Sequence, residues 1–287
     1  MLRTLWRYIW RVIKAMALLW VFFCVGLFLL LHAFELLTGS DRGALWYIAP
    51  PEGVTASVRH TADGVRYMVL GDETRPPLLF IHGGFGGFRH GRVMVHSLPL
   101  YERYHLILVE RPGYGGTPLP YMPDIMAEAR LLLPVLEGKP HAVVAGHSYG
   151  AVLAIAMGLE APEQIAQIVN TAGLYYTVYN PPAPVSILPG WIAALLPRVL
   201  RTTFAENQAR EYNMQPLEER YSELAVPLTL VWGGEDPMVS PLSSVQLLQA
   251  LPEASSVVFP SLGHRIPQEN PAELTAILLA LPSAGAS

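Results

Sequence analysis

The sequence predicts an α/β protein, with a mostly parallel sheet, an opening antiparallel hairpin and helices on both faces, behind one N-terminal transmembrane helix. The first observation is a series of short apolar runs that end in glycine-bearing turns, as in "PLLFIHGG", "HAVVAGHSYG" and "PLTLVWGGED". Such runs are apolar on both faces, which is typical of parallel strands covered by helices. The second is an uncharged apolar run at residues 15–34, about 20 residues long and sufficient for one bilayer crossing.

The charges around this apolar run predict its orientation. Four basic residues and no acidic residue precede it: Arg3, Arg7, Arg11 and Lys14. Basic residues flanking a span stay in the cytoplasm, so residues 35–287 are expected on the extracytoplasmic side. Aromatic residues interleave with them, which favours an interfacial helix over a merely charged tail. Membrane lipid is therefore an expected partner of residues 15–34.

Two alternatives to a retained membrane anchor are open. A cleaved signal peptide has an apolar core of only about 7 to 15 residues and a small-residue cleavage site, and "HAFELLTGS" offers no good site of this kind. A buried core helix of a soluble protein would be expected to carry a polar face. Both comparisons favour an uncleaved anchor.

Composition excludes several classes of function. The first 34 residues hold four of the 19 Lys and Arg residues and none of the 23 Asp and Glu residues, so the remainder is acidic and disfavours nucleic acid as a partner. Cys24 is the single cysteine and lies inside the apolar run. The chain therefore has no disulfide framework, no thiolate metal site and no catalytic cysteine.

The rest of the chain divides into a predicted linker and a predicted main domain that contains a cap insertion. Residues 35–53 are interpreted as a linker and residues 54–287 as the main domain, which opens with a hairpin turning at Asp63 and Gly64. Helical patterns are predicted at residues 123–137, 149–160, 241–251 and 271–281, and Pro134 is expected to kink or end the first of them. Residues 174–224 interrupt the strand-helix rhythm and are interpreted as a helical cap, with an apolar helical stretch around Trp191 to Leu200.

One constellation of residues predicts nucleophilic catalysis. The turn "GHSYG" places Ser148 between an apolar run and a predicted helix, and a serine needs a base and an orienting carboxylate. His264 is the only histidine after Ser148, and Asp236 is the only aspartate between them. Each follows an apolar run, so the three would meet at the carboxyl edge of the sheet. Glu235 is the alternative acid.

The glycine-rich segment "GGFGGF" at residues 83–88 predicts an oxyanion-binding loop, because glycines let backbone amides turn inward. The expected donors are the amides of Gly84 and Tyr149, with Phe85 the rival for the first. A metal site is a weaker interpretation of three upstream histidines, since no metal-binding spacing accompanies them: His82, His90 and His96. No phosphate-binding motif occurs, and we expect no metal and no cofactor.

Five ordered motifs resemble those of the α/β-hydrolase fold superfamily: "HGGFGG", "ERPGYGGTP", "GHSYG", "WGGEDPMV" and "SLGHRIPQENP". The resemblance spans residues 54 to about 282. It implies Ser148 as nucleophile, Asp236 as orienting acid, His264 as base, and residues 174–224 as a cap over the pocket. Glu110 departs from the aspartate usual in the second motif.

The sequence thus predicts a membrane-anchored serine hydrolase, esterase-like or lipase-like, that cleaves a carboxylic ester or related acyl bond of a small or lipid-like substrate through an acyl-enzyme. The same triad would also suit a peptidase, a carbon-carbon bond hydrolase or an acyltransferase. The resemblance also implies that a member of the superfamily that opens epoxides or displaces halide would carry aspartate at position 148, so the serine disfavours those two reactions. A non-catalytic binding module would be expected to lack part of the triad. The sequence leaves the oligomeric state open.

Overall fold

The computed structural model describes residues 2–139, 141–179 and 190–282, and its centre is an eight-stranded sheet. The strands are β1 (Ala56–His60), β2 (Arg66–Leu70), β3 (Pro77–Ile81), β4 (His105–Glu110), β5 (Ala142–His147), β6 (Ile165–Thr171), β7 (Leu228–Gly233) and β8 (Ser255–Phe259). Their order is β1-β2-β4-β3-β5-β6-β7-β8, and all pairs from β4 to β8 are parallel. The predicted fold class is confirmed.

Ten helices occupy the described residues around and before this sheet. They are α1 (Leu2–Gly39), α2 (Asp41–Ile48), α3 (Phe88–Val95), α4 (Ile125–Leu132), α5 (Tyr149–Glu160), α6 (Gly190–Ala193), α7 (Arg198–Glu218), α8 (Pro241–Ala250), α9 (Ile266–Glu269) and α10 (Pro271–Ala280). The predicted helices at 149–160, 241–251 and 271–281 are confirmed to within a residue. The predicted helix at 123–137 begins at Ile125 and tightens into a 3-10 turn over Leu133–Leu136, where Pro134 removes a helical donor.

The antiparallel edge of the sheet is the predicted hairpin. Strands β1 and β2 pair from Ala56 opposite Leu70 to His60 opposite Arg66, and β2 also pairs antiparallel with β4. Gly64 in the connecting turn has φ +89°, a left-handed conformation that glycine adopts without strain.

Alternate residues of the central strands enter two separate hydrophobic clusters. Leu79 and Ile81 of β3 pack on the side of α5, and Leu78 and Phe80 pack on the side of α3 and α10. Because successive side chains of a strand point to opposite faces, this division means that helices cover the sheet on both sides. The central strands are consequently buried along their whole length, which explains their continuous apolar sequence.

The cap differs from the sequence expectation in its helices. The apolar stretch around Trp191 to Leu200 is not one helix, because α6 ends at Ala193 and α7 begins at Arg198, after Pro197 in an extended conformation. Helix α7 then continues for 21 residues, which the polar sequence after residue 200 did not predict. Residues 180–189 of the predicted cap lie outside the described residues.

Helices α1 and α2 precede the domain. The apolar part of α1 has a mean hydropathy of 2.4 over its most apolar window and no burial within the structure. Buried Arg66 ties this region to the sheet: its Nε donates to Asp41 Oδ1 at 2.8 Å, and its Nη1 donates to Glu110 Oε2 at 2.9 Å and to the carbonyl of Thr38 at 3.2 Å. The segment interpreted as a linker therefore holds a docked helix.

Candidate active site

Ser148 lies at the sharp turn between β5 and α5. Its φ of +56° and ψ of −119° are strained for a residue with a side chain. The flanking glycines make this turn feasible: a Cβ on Gly146 would lie 2.5 Å from Ala151 Cα, and one on Gly150 would lie 2.2 Å from the carbonyl oxygen of Ile81. The turn holds the half-exposed serine at the carboxyl edge of the sheet.

Asp236 and His264 follow the ends of β7 and β8 and form a hydrogen-bonded pair. His264 Nδ1 lies 2.8 Å from Asp236 Oδ2, while Asp236 Oδ1 accepts the amides of Met238 and Val239 at 2.8 and 2.9 Å. The Asp236 carboxylate is 2% exposed, whereas Glu235 is exposed to solvent. With Nδ1–H donated to the carboxylate, Nε2 of His264 is the nitrogen left to accept a proton.

The imidazole of His264 lies beside the turn that carries Ser148. The ring of His147, the residue before Ser148, is 5.0 Å from the ring of His264. Burial, together with the charge of His264, lowers the pKa of His147 well below its ordinary value. His147 therefore stays neutral at physiological pH. Of these two histidines, it is His264 that is hydrogen-bonded to a carboxylate. The structure thus brings the serine turn, Asp236 and His264 to the same edge of the sheet, as the sequence predicts.

The glycine-rich loop after β3 closes over Ser148. A Cβ on Gly83 would lie 2.7 Å from Ser148 Cβ, so only a bare backbone fits against the serine. The Phe85 amide donates to Thr203 Oγ1 at 2.8 Å and is already engaged. The amides of Gly84 and Tyr149 have no acceptor among the described residues. This geometry favours Gly84 over Phe85 as an oxyanion donor.

His82 holds this loop in place through contacts of both its ring nitrogens. Its Nδ1 lies 2.8 Å from the carbonyl of Gly83, and its Nε2 accepts the amide of Arg111 at 3.3 Å. These two bonds fix the Nδ1–H tautomer, and burial lowers its pKa well below the ordinary value. No group of three or more His, Cys, Asp or Glu side chains within the described part of the chain is placed to hold a metal ion.

A buried ionic cluster next to the site escaped the sequence analysis. Arg111 is fully buried and contacts Glu206 of α7 at 2.7 Å and Glu128 of α4 at 3.3 Å, and Tyr114 donates to Glu206 at 2.7 Å. Burial raises the pKa of Glu128 to about 8, and the nearby Glu206 carboxylate adds to this effect, while Arg111 opposes it. The cluster fastens the cap to the loop after β4. Arg111 in "ERPGYGG" was its only sequence signal.

Glu110 also has a structural role. Its carboxylate pairs with Arg66, and Oε2 accepts the amide of Gly116 at 2.7 Å. Burial raises the pKa of this carboxyl, against the opposing effect of Arg66. Glu110 therefore holds the loop after β4 in place and lies outside the triad.

Comparison with known proteins gives concordant results. The model of the family described as "Alpha/beta hydrolase family" matches residues 78–277, more than half of the chain. Lipase 3 of Moraxella sp. (strain TA144) and Lipase 1 of Psychrobacter immobilis are each 24% identical over 243 residues, covering 71% of this chain and 76% of the relative.

Two solved structures share the fold. A membrane phospholipase A, described as a bacterial virulence factor, superimposes with a TM-score of 0.63 at 20% identity and covers 93% of this chain and 97% of its own. The 2-hydroxy-6-oxo-6-phenylhexa-2,4-dienoate hydrolase of Rhodococcus sp. strain RHA1 gives 0.64 at 18% identity, covering 79% and 98%. An alignment over 93% of the chain must include part of the N-terminal 34 residues.

Proposed function

Because the chain belongs to the alpha/beta hydrolase family and is an enzyme of that class, we propose that it is a membrane-anchored serine hydrolase that cleaves carboxylic esters through an acyl-enzyme. The observation that carries this proposal is the 2.8 Å bond between His264 and Asp236 beside the strained turn of Ser148. The similarity to two lipases supports an ester as substrate.

In the proposed reaction, Ser148 Oγ attacks the acyl carbon while His264 Nε2 takes the hydroxyl proton. Asp236 holds the tautomer of the imidazole and stabilises the imidazolium that forms. The amides of Gly84 and Tyr149 stabilise the negative oxygen, an effect of about 3 to 4 kcal/mol per donor in comparable sites. The proton then passes to the leaving alcohol, and water, deprotonated by His264, releases the acid and restores the serine.

We propose further that residues 15–34 are retained as a single membrane span, with the N-terminus in the cytoplasm and the catalytic domain outside. The apolar surface of α1, unburied within the structure, supports a lipid environment for this helix. The membrane phospholipase A whose fold aligns with this chain is consistent with an enzyme held at a bilayer. A lipid-like ester is accordingly the proposed substrate class.

The test uses the full-length protein in detergent micelles. A fluorophosphonate probe should label the parent and fail to label Ser148→Ala, while Ser256→Ala, which alters an exposed serine on β8, should label like the parent. Labelling that survives in Ser148→Ala would reject the nucleophile.

A substrate panel separates the proposed reaction from those of a peptidase and an acyltransferase. We expect turnover of acyl esters of graded chain length and none of aminoacyl amides. Turnover of the amides alone would indicate a peptidase, and turnover only with an added alcohol acceptor would indicate an acyltransferase.

A further inference from the structure

Glu35 makes an unusual contact between the membrane helix and the cap. It is the first acidic residue after the uncharged run, and its two carboxylate oxygens accept the amides of Arg198 at 2.9 Å and Val199 at 3.0 Å. These are the first two residues of α7. A carboxylate at this position satisfies free amides and complements the positive end of the helix dipole.

Helix α7 has no capping side chain of its own. Its N-cap residue is Pro197, which makes no side-chain capping bond. The cap is supplied instead by α1, from a residue 163 positions earlier in the chain. The long helix of the cap therefore begins on the outer end of the membrane helix.

The first two turns of α7 hold the loops of the candidate active site. Thr203 Oγ1 accepts the Phe85 amide at 2.8 Å and lies 3.0 Å from the Tyr114 hydroxyl oxygen. Thr202 Oγ1 donates to the carbonyl of Gly113 at 2.8 Å. Since Phe85 directly follows Gly84, the position of α7 determines where the Gly84 amide points.

Direct packing of α1 on the loop is interrupted by a cavity. This cavity of about 60 Å³ is lined by Phe34 and Glu35 on one side and by Gly86, Gly87 and Arg89 on the other. The contacts that join α1 to the glycine-rich loop therefore run around the cavity, from Glu35 to the start of α7 and then through Thr203 to Phe85.

From these contacts we propose that Glu35 is a positioning residue for the reaction: its carboxylate fixes the start of α7, and α7 through Thr203 fixes the oxyanion loop. This inference rests on the proposed function, since it assigns the loop to oxyanion binding. The outer end of the membrane helix then helps to position the oxyanion loop of the catalytic domain.

A double-mutant cycle in the full-length protein tests this path, with a short-chain ester as substrate. Glu35→Gln removes the charge and one of the two acceptors, and Thr203→Val removes the acceptor for the Phe85 amide without changing side-chain size. We expect each single variant to lower kcat about 5- to 20-fold with KM within about twofold, because the loss is confined to the transition state.

The double variant should have nearly the same kcat as Thr203→Val, because both changes interrupt one path. The rate of fluorophosphonate labelling should fall in parallel. Glu52→Gln, which alters an exposed glutamate between α2 and β1, is the matched control and should keep parental values.

Two results would overturn the inference. One is a parental kcat in Glu35→Gln, and the other is a double variant whose losses multiply. Thermal unfolding of each variant, measured beside the kinetics, identifies a merely structural loss, in which stability falls and kcat of the folded fraction does not. If the parent itself is not labelled by fluorophosphonate, the proposed function fails first.

Discussion

Replacing Glu128 by glutamine should change how the stability of the domain depends on pH. Burial holds the pKa of this carboxyl at about 8, above the ordinary value of 4.5. Between these two values the folded protein keeps a proton that the unfolded chain releases, so the free energy of unfolding falls as pH rises. Glutamine has almost the same shape, cannot titrate, and can still accept from Arg111.

The size of the effect follows from the width of this window. Between about pH 5.5 and about pH 7.5, Glu128 is mostly protonated in the folded protein and mostly ionised in the unfolded chain. Over this range Glu128 alone lowers the free energy of unfolding by roughly 2 to 3 kcal/mol, at about 1.4 kcal/mol per pH unit. Glu206, whose pKa burial also raises, should leave part of the slope in the variant.

Guanidinium unfolding in detergent, followed by tryptophan fluorescence at several pH values, measures this slope. We expect a clearly shallower slope in Glu128→Gln than in the parent. Glu223→Gln, which breaks an exposed pair with Arg220, should retain the parental slope. Equal slopes in the parent and Glu128→Gln would refute the inference that the Glu128 carboxyl keeps its proton in the folded protein.

Three further predictions concern catalysis, folding and topology. Asp236→Asn should keep the fold and lower kcat about 10⁴-fold, because an amide favours the wrong imidazole tautomer; activity within tenfold of the parent would exclude this acid. Gly150→Ala should prevent accumulation of folded protein, since its Cβ would meet the carbonyl of Ile81, whereas Gly39→Ala, with open space around it, should accumulate normally on immunoblots. The full-length chain should resist carbonate extraction, and protease added outside a sealed inner membrane should digest residues 35–287 and leave an N-terminal fragment; complete protection would reverse the proposed orientation.

The sequence was sufficient to predict the parts of the site that depend on chain order. Only one histidine follows Ser148 and only one aspartate lies between them, so the pairing of Asp236 with His264 required no knowledge of three-dimensional contacts. The apolar runs likewise predicted the strands, because burial on both faces leaves a continuous apolar signal.

Contacts between distant polar residues left no such signal. Glu35 and Arg198 carry no local pattern that would pair them across 163 positions, and Glu206 lies in a polar stretch typical of a solvated helix. The bounds of α7 were missed for the same reason, since the buried positions in its first turns hold Thr202 and Glu206, which bond to loops. Among its described side chains, the fully buried apolar residues Met214 and Leu217 come only near its end. Such networks become visible only when the fold has brought their members together.

The bonds of Arg66 to Thr38 and Asp41 have a mechanical consequence. They join the end of α1 and the start of α2 to β2, so they restrict movement of the domain relative to α1. If α1 crosses the bilayer, the height of Ser148 above the lipid surface is set by the length of that helix, and a tilt of the helix swings the active site through an arc. Lengthening α1 by four residues, slightly more than one turn, would raise the domain by about 6 Å and rotate it by about 40° around the helix axis. The length of α1 would then set both the height and the direction of the active site.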